Sequence, residues 1–124
     1  METLNANIRL GQLGESAACE YLTSIGHRIL ERNYRCPHGE IDIISLDGDR
    51  TVFTEVKTRS VLPQSSRYGR ASSAVTKSKK ENFILTAKQY QREHPESMRC
   101  RVDVIEVYIT GGEKPVIKHI RSAF

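Results

Sequence analysis

The chain has 124 residues, 38% of them hydrophobic and 27% charged, which suits one compact domain spanning 1–124. No run approaches the ~20 apolar residues of a membrane span, and the opening METLNANIRL has no apolar h-region, so no signal peptide and no membrane partner are expected. The three cysteines, Cys19, Cys36 and Cys100, form no C-x-x-C pair, which fits a reducing cytoplasm, and the lone Cys36-Pro37-His38 falls short of a four-ligand zinc pattern.

The net charge of +4 is unevenly spread. From Val56 to Lys80 there are seven basic residues (Lys57, Arg59, Arg67, Arg70, Lys77, Lys79 and Lys80) and no acidic one, while the remainder is net negative. A local basic stretch of this kind is the electrostatic footprint of polyanion binding.

Leu4 to Ile25 reads as a helix, because Leu4, Ile8, Gly11, Glu15, Ala18, Leu22 and Ile25 recur at spacings of three and four. Leu10, Leu13, Ala17 and Tyr21 widen that stripe. Gly11 and Gly14 each cost about 1 kcal/mol of helix propensity, which on a buried side points to close approach to a sheet or a ligand. Gly26 is placed to end the helix. Glu15 is the anomaly: a carboxylate at the edge of an apolar stripe has to reach water, pair with a cation or bind one.

Strands are expected over His27 to Tyr34, Glu40 to Leu46 and Thr51 to Thr58. Ser60 to Ser72 reads as a polar loop. A second helix, ending before Pro95, carries Phe83, Ile84, Ala87 and Tyr90 on its apolar side; Ser78 with Glu81 offers a capping box, and Ser72 or Ser73 an earlier start. Either start puts Lys77, Lys79 and Lys80 at the helix N-terminal end, against the helix dipole, a small cost in keeping with phosphate contact. Met98 to Tyr108 and Pro115 to Ile120 read as two further strands. The order αβββαβ with a short final strand makes this an α/β protein, with a mixed central sheet flanked by helices. Arg101 and Asp103 share a strand face and suit one another as a pair, and His38 reads as a loop histidine.

Gly48-Asp49 suits a two-residue type II′ turn, with Asp47 opposite Arg50. Counting back, Asp42 then lies opposite Glu55 and Glu40 opposite Lys57; a turn centred on Asp47-Gly48 shifts the register by two and makes Asp42 and Glu55 diagonal neighbours. Two carboxylates placed across a ladder repel unless something neutralises them. Lys57 does part of that, and a divalent cation does it better, since Mg²⁺ takes one or two carboxylates plus waters and substrate oxygens. Glu40 suits either Lys57 or a second, water-linked cation. Carboxylates, a hard cation and a lysine are what phosphodiester hydrolysis needs, because a water has to be deprotonated beside negative charge.

Asp42 followed by Glu55-x-Lys57 resembles the PD-(D/E)xK nuclease pattern, although the motif's proline is absent and Ile41 stands before Asp42. Over most of its length the chain more closely resembles the YraN-like bacterial proteins, through GQLGESAACEYL, GEIDII, VFTEVKTR, AVTKSKKENFILTAKQY and CRVDVI. The resemblance implies a restriction-endonuclease-like αβββαβ core, akin to that of archaeal Holliday-junction resolvases. It implies metal-ligand roles for Asp42 and Glu55, support from Glu15 on the first helix and a catalytic role for Lys57. Mg²⁺ or Mn²⁺ is the implied cofactor. The expected activity is nucleic-acid hydrolysis, on DNA sooner than RNA, with Arg59, Arg67, Arg70, Lys77, Lys79 and Lys80 gripping phosphates and a homodimer as one way to cut two strands. Three Phe, five Tyr and no Trp argue against a base-stacking reader of single strands. The rival expectations are a binding or adaptor module that keeps the fold without catalysis, and a salt-bridged surface patch with no site at all.

Overall fold

The computed structural model describes residues 2–60, 76–112 and 114–124. Its elements are α1 (Glu2–Ser24), β1 (Arg28–Cys36), β2 (Gly39–Asp47), β3 (Arg50–Ser60), α2 (Lys77–Glu93), β4 (Cys100–Ile109) and β5 (Val116–Ile120), with a short 3-10 turn, Pro95–Ser97, between α2 and β4. The strands form one sheet in the order β1-β2-β3-β4-β5. Only β3 and β4 run parallel; the other neighbours are antiparallel. The architecture is the mixed α/β core expected, and it matches a restriction-endonuclease-like fold.

Each helix covers one sheet face. Ala18 and Leu22 of α1 pack on Ile43, Ile105 and Val107, while Phe83, Ala87 and Tyr90 of α2 pack on Tyr34, Ile41, Ile44, Phe53 and Val102. Ile43 and Ile44 thus serve opposite faces, as strand alternation requires. The α1 stripe is narrower than its apolar spacing predicts. Gly14, Ala18 and Leu22 are buried, whereas Ile8 is 51% and Leu13 57% exposed and Ile25 is also exposed. Small residues on the contacting line bring the helix close: a Cβ at Gly14 would overlap the Thr58 side chain. Gly11 meets nothing, so the close approach belongs to Gly14 alone.

The ends of the elements are mostly local in origin. Gly26 closes α1 at φ 98° and Gly48 turns the hairpin at φ 63°, left-handed values that favour glycine. The cap of α2 is Thr76 rather than Ser78, with the Thr76 hydroxyl accepting from the Lys79 N–H at 3.2 Å. The Lys at the third helical position leaves no capping-box signature at Thr76, which is why Ser78-x-x-Glu81 reads as the stronger signal. Residues 61–75 lie outside the described residues, and with them the loop as far as Ser72, the alternative starts Ser72 and Ser73, Arg67 and Arg70; so does the Leu4 side chain.

Where the β2–β3 hairpin turns, the sheet carries a polar network on its α1 side. Asp103 is fully buried and accepts from Arg101 Nε at 3.1 Å and from the Ser122 N–H at 3.0 Å, with His119 Nε2 at 2.7 Å. Arg101 also reaches Asp47 at 2.9 Å, His119 Nδ1 meets the Tyr21 hydroxyl at 2.9 Å, and His27 Nδ1 meets Ser45 Oγ at 2.9 Å. The expected Arg101–Asp103 pair is therefore part of a larger staple that ties α1, β2, β4 and β5 together. His38 sits exposed in the turn after β1.

Candidate functional site

The hairpin register is the one counted from Gly48-Asp49: Asp47 faces Arg50, and the ladder runs back to Ile43 opposite Thr54. It stops there. Instead of the next ladder pair, Asp42 Oδ2 accepts from the backbone N–H of Val56 at 2.7 Å. A side chain has taken the place of a backbone partner, so β2 leaves β3 at the position where two carboxylates would have faced each other. Glu40 does not lie against Lys57. It is the ladder partner of Arg35 on β1 and forms a 2.9 Å ion pair with it. The strands have parted by then, so the pairing that alternation promised across the hairpin is lost and the nearer neighbour on β1 takes the charge.

Asp42 and Glu55 are half-buried and Lys57 is only 7% exposed. Glu55 and Lys57 share a strand face with Phe53, which packs on α2. Burial pushes the Asp42 carboxyl up to about 7, against the lowering effect of the Val56 N–H; the nearby charges of Glu55, Glu15 and Glu40 push the same way as burial. Burial also raises Glu55, opposed by the positive charges of Lys57 and Lys79. The Lys57 ammonium is shifted down, first by burial and then by Lys79 and Arg59, while Glu55 and Glu106 act to raise it. Among the described residues neither Asp42, Glu55 nor Lys57 forms an ion pair within 4 Å.

These couplings say which expected residues come together. Asp42, Glu55 and Lys57 form one group, and Glu15 on α1 is close enough to act on Asp42. Lys79, in the first turn of α2, and Arg59, at the end of β3, add positive charge at its edge. Lys80 lies with its Nζ 5.7 Å from the centre of the Phe124 ring, and Lys77 is exposed at the start of α2. Arg67 and Arg70 lie outside the described residues. Glu106, on β4, has no signal in the sequence beyond one charge inside the apolar run VIEVYI, yet it is fully buried beside Lys57.

Asp42 and Glu55 are hard oxygen donors without an ion-pair partner within 4 Å among the described residues, and burial disfavours both charges. Asp42 Oδ2 is held by the Val56 N–H, a bond that does not engage Oδ1. The donor set fits Mg²⁺ or Mn²⁺. Among the described residues no three His, Cys, Asp or Glu side chains already stand together as a ready cage. A cation would thus be held by Asp42 and Glu55 and would complete its shell with water and substrate oxygens, as Mg²⁺ commonly does. Glu15 is placed to support it by charge.

The profile of the uncharacterised protein family UPF0102 matches residues 14–107. The chain is 43% identical over 119 residues to the UPF0102 protein of Rhodococcus opacus (strain B4), covering 95% of this chain and 98% of that one. It is 43% identical over 120 residues to the UPF0102 protein of Arthrobacter sp. (strain FB24), covering 96% and 98%. The UPF0102 protein of Chlorobium chlorochromatii (strain CaD3) is 39% identical over 129 residues, covering 100% and 97%. The matched span takes in Glu15, Asp42, Glu55, Lys57 and Glu106. Among the described residues no helix is long and apolar enough to cross a membrane.

Proposed function

The chain belongs to the uncharacterised protein family UPF0102, and on that premise we propose that it is a metal-dependent nuclease hydrolysing phosphodiester bonds, with duplex or branched DNA preferred over RNA. One observation carries this reading: Asp42 and Glu55 sit where the hairpin parts, beside the buried Lys57, with no cation paired to them among the described residues. Grouping charges this way costs stability, and such costs collect at functional sites. The fold supports the reading by analogy only.

Asp42 and Glu55 would hold Mg²⁺ or Mn²⁺, which would supply neutralisation of the charge that develops on the phosphate and a lowered pKa for a nearby water. The chain's own residues do the rest. The Val56 N–H orients the Asp42 carboxylate through Oδ2 and does not engage Oδ1. Lys57 donates to the attacking water or to a non-bridging phosphate oxygen. Glu15 adds negative charge that favours cation binding. Lys77, Lys79, Lys80 and Arg59 hold flanking phosphates, so binding weakens as salt rises.

Cleavage of a labelled panel (linear, nicked, flapped and four-way DNA, and RNA) in Mg²⁺, Mn²⁺ or EDTA tests this. The expected result is cutting in either metal and none in EDTA, with Asp42→Ala inactive and Lys57→Ala slower by about 10²–10⁴-fold. Salt-sensitive binding without cutting in any metal, unchanged by Asp42→Ala, overturns it in favour of a binding module that keeps the fold.

A further inference from the structure

Lys57 has two carboxylates on its own side of the sheet. Glu55 is two residues back on β3, and Glu106 is its direct partner in the parallel β3–β4 ladder. Ladder partners and alternate residues of a strand project to the same face, and both carboxylates act on Lys57. Glu106 in turn has Lys118 as its ladder partner on β5. A charged rung, Lys57–Glu106–Lys118, therefore crosses three strands.

The two oxygens of Glu106 are used differently. Oε1 accepts from the Tyr108 hydroxyl at 3.3 Å and stands 3.8 Å from Lys118 Nζ. Oε2 is buried and has no hydrogen-bond partner among the described residues. A buried carboxylate oxygen without a donor is costly and calls for one. The claims on Oε1 come from Tyr108 and the β5 side, which leaves Oε2 for the lysine on the β3 side.

A direct ligand role for Glu106 does not fit. Strands lie ~4.8 Å apart, so the β4 backbone is roughly 10 Å from β2 and Asp42, too far for the two carboxylates to share one cation easily. The ladder neighbours of Glu106 are lysines, not carboxylates. Its partner within the site is Lys57.

We propose that Glu106 is a positioning residue whose Oε2 fixes the Lys57 ammonium at the site. The holding contact is inferred from the shared rung and the unpartnered Oε2; its consequence for cleavage rests on the nuclease reading. If Glu55 alone balanced Lys57, the ammonium and the cation would compete for the same oxygens. A second carboxylate, one strand away and outside the ligand pair, holds the lysine and leaves Glu55 to the metal.

A double-mutant cycle with Lys57→Met and Glu106→Gln separates the two parts. Read by urea unfolding, the effect of Glu106→Gln on the unfolding constant is expected to differ at least about fivefold between the wild-type and Lys57→Met backgrounds; effects that multiply independently within about twofold overturn the contact. Read by cleavage, Glu106→Gln is expected to lower kcat about 10–100-fold, in the range of outer partners of other sites, with KM little changed. Glu106→Asp should recover part of the loss, and Glu106→Gln should cost nothing further in the Lys57→Met protein. A change in KM alone, or an undiminished loss in the Lys57→Met protein, overturns the role. If the wild-type protein cuts nothing, the nuclease reading fails while the unfolding cycle still decides the contact. Should Glu106→Gln fail to fold, acetylation of Lys57 by an amine reagent in wild type and Glu106→Asp decides it: a severalfold rise in reactivity supports the contact, and equal reactivity overturns it.

Discussion

Two regions of the sheet bury charge, and they do so in opposite ways. At the hairpin end, Asp103 is fully enclosed yet receives donors from Arg101, His119 and the Ser122 N–H. Where β2 leaves β3, Asp42 is less enclosed but has a single donor among the described residues, the Val56 N–H, and three carboxylates acting on it. Burial pushes both carboxyls up. At Asp103 the hydrogen bonds outweigh it and hold the group below the usual carboxylate range; at Asp42 they do not, and it rises to about 7. The count of donors, rather than depth, decides whether a buried acid keeps its charge or is pushed to hold its proton.

Breaking the network is expected to have the largest effect. Asp103→Ala leaves Arg101 buried without its main partner, and urea unfolding should show a loss of about 3–5 kcal/mol. A loss below about 1 kcal/mol would erase the distinction between the two regions.

Asp42→Asn should act in the other direction. Removing a disfavoured charge at the proposed site is expected to raise stability by about 1–2 kcal/mol near pH 8 while the proposed cleavage is lost. The sign follows from linkage. The folded Asp42 holds its proton up to about 7 against an ordinary value of 3.8, so its destabilising effect is absent below the ordinary value, grows between the two, and is complete above the folded one. The gain from Asn should follow the same window. Asp103 behaves oppositely: its contribution is full above the ordinary value of 3.8 and is lost only as pH falls through its depressed folded value. Unfolding curves of the two variants from about pH 3 to 8 should therefore separate the regions, and a gain from Asn independent of pH would count against the account of Asp42.

The smallest expected effect sharpens the comparison at the site's edge. Thr76→Ala removes the cap of α2 and should cost about 1 kcal/mol. Because that turn carries Lys79, nucleic-acid affinity should weaken while kcat at saturation stays unchanged.

Much of the hairpin was legible. Gly48 sets the turn, the turn sets the register, and the register holds back to Ile43 and Thr54. From there the count goes astray, because an Asp side chain replaces a ladder partner and the start of β2 stays paired with β1 alone. Glu40 then meets Arg35 rather than Lys57. The close approach read from two glycines of α1 belongs to Gly14 and not Gly11, since only the sheet decides which line of the helix touches Thr58. Glu106 was invisible because an acidic residue in a strand acquires meaning only from its neighbours across the ladder.

By itself, the sequence determined what is settled within a few residues along the chain: the order of helices and strands, the turn at Gly48, the helix end at Gly26, and the close spacing of Asp42, Glu55 and Lys57. Local backbone preference and the two-residue period of a strand are enough for these. Only the tertiary structure decided which charges are paired. Asp103 gains its donors from β4, β5 and the turn after it, and Glu106 is brought beside Lys57 on a parallel strand reached through α2. Partnering of a buried charge is a property of groups brought together across the sheet, and residue spacing along the chain does not carry it.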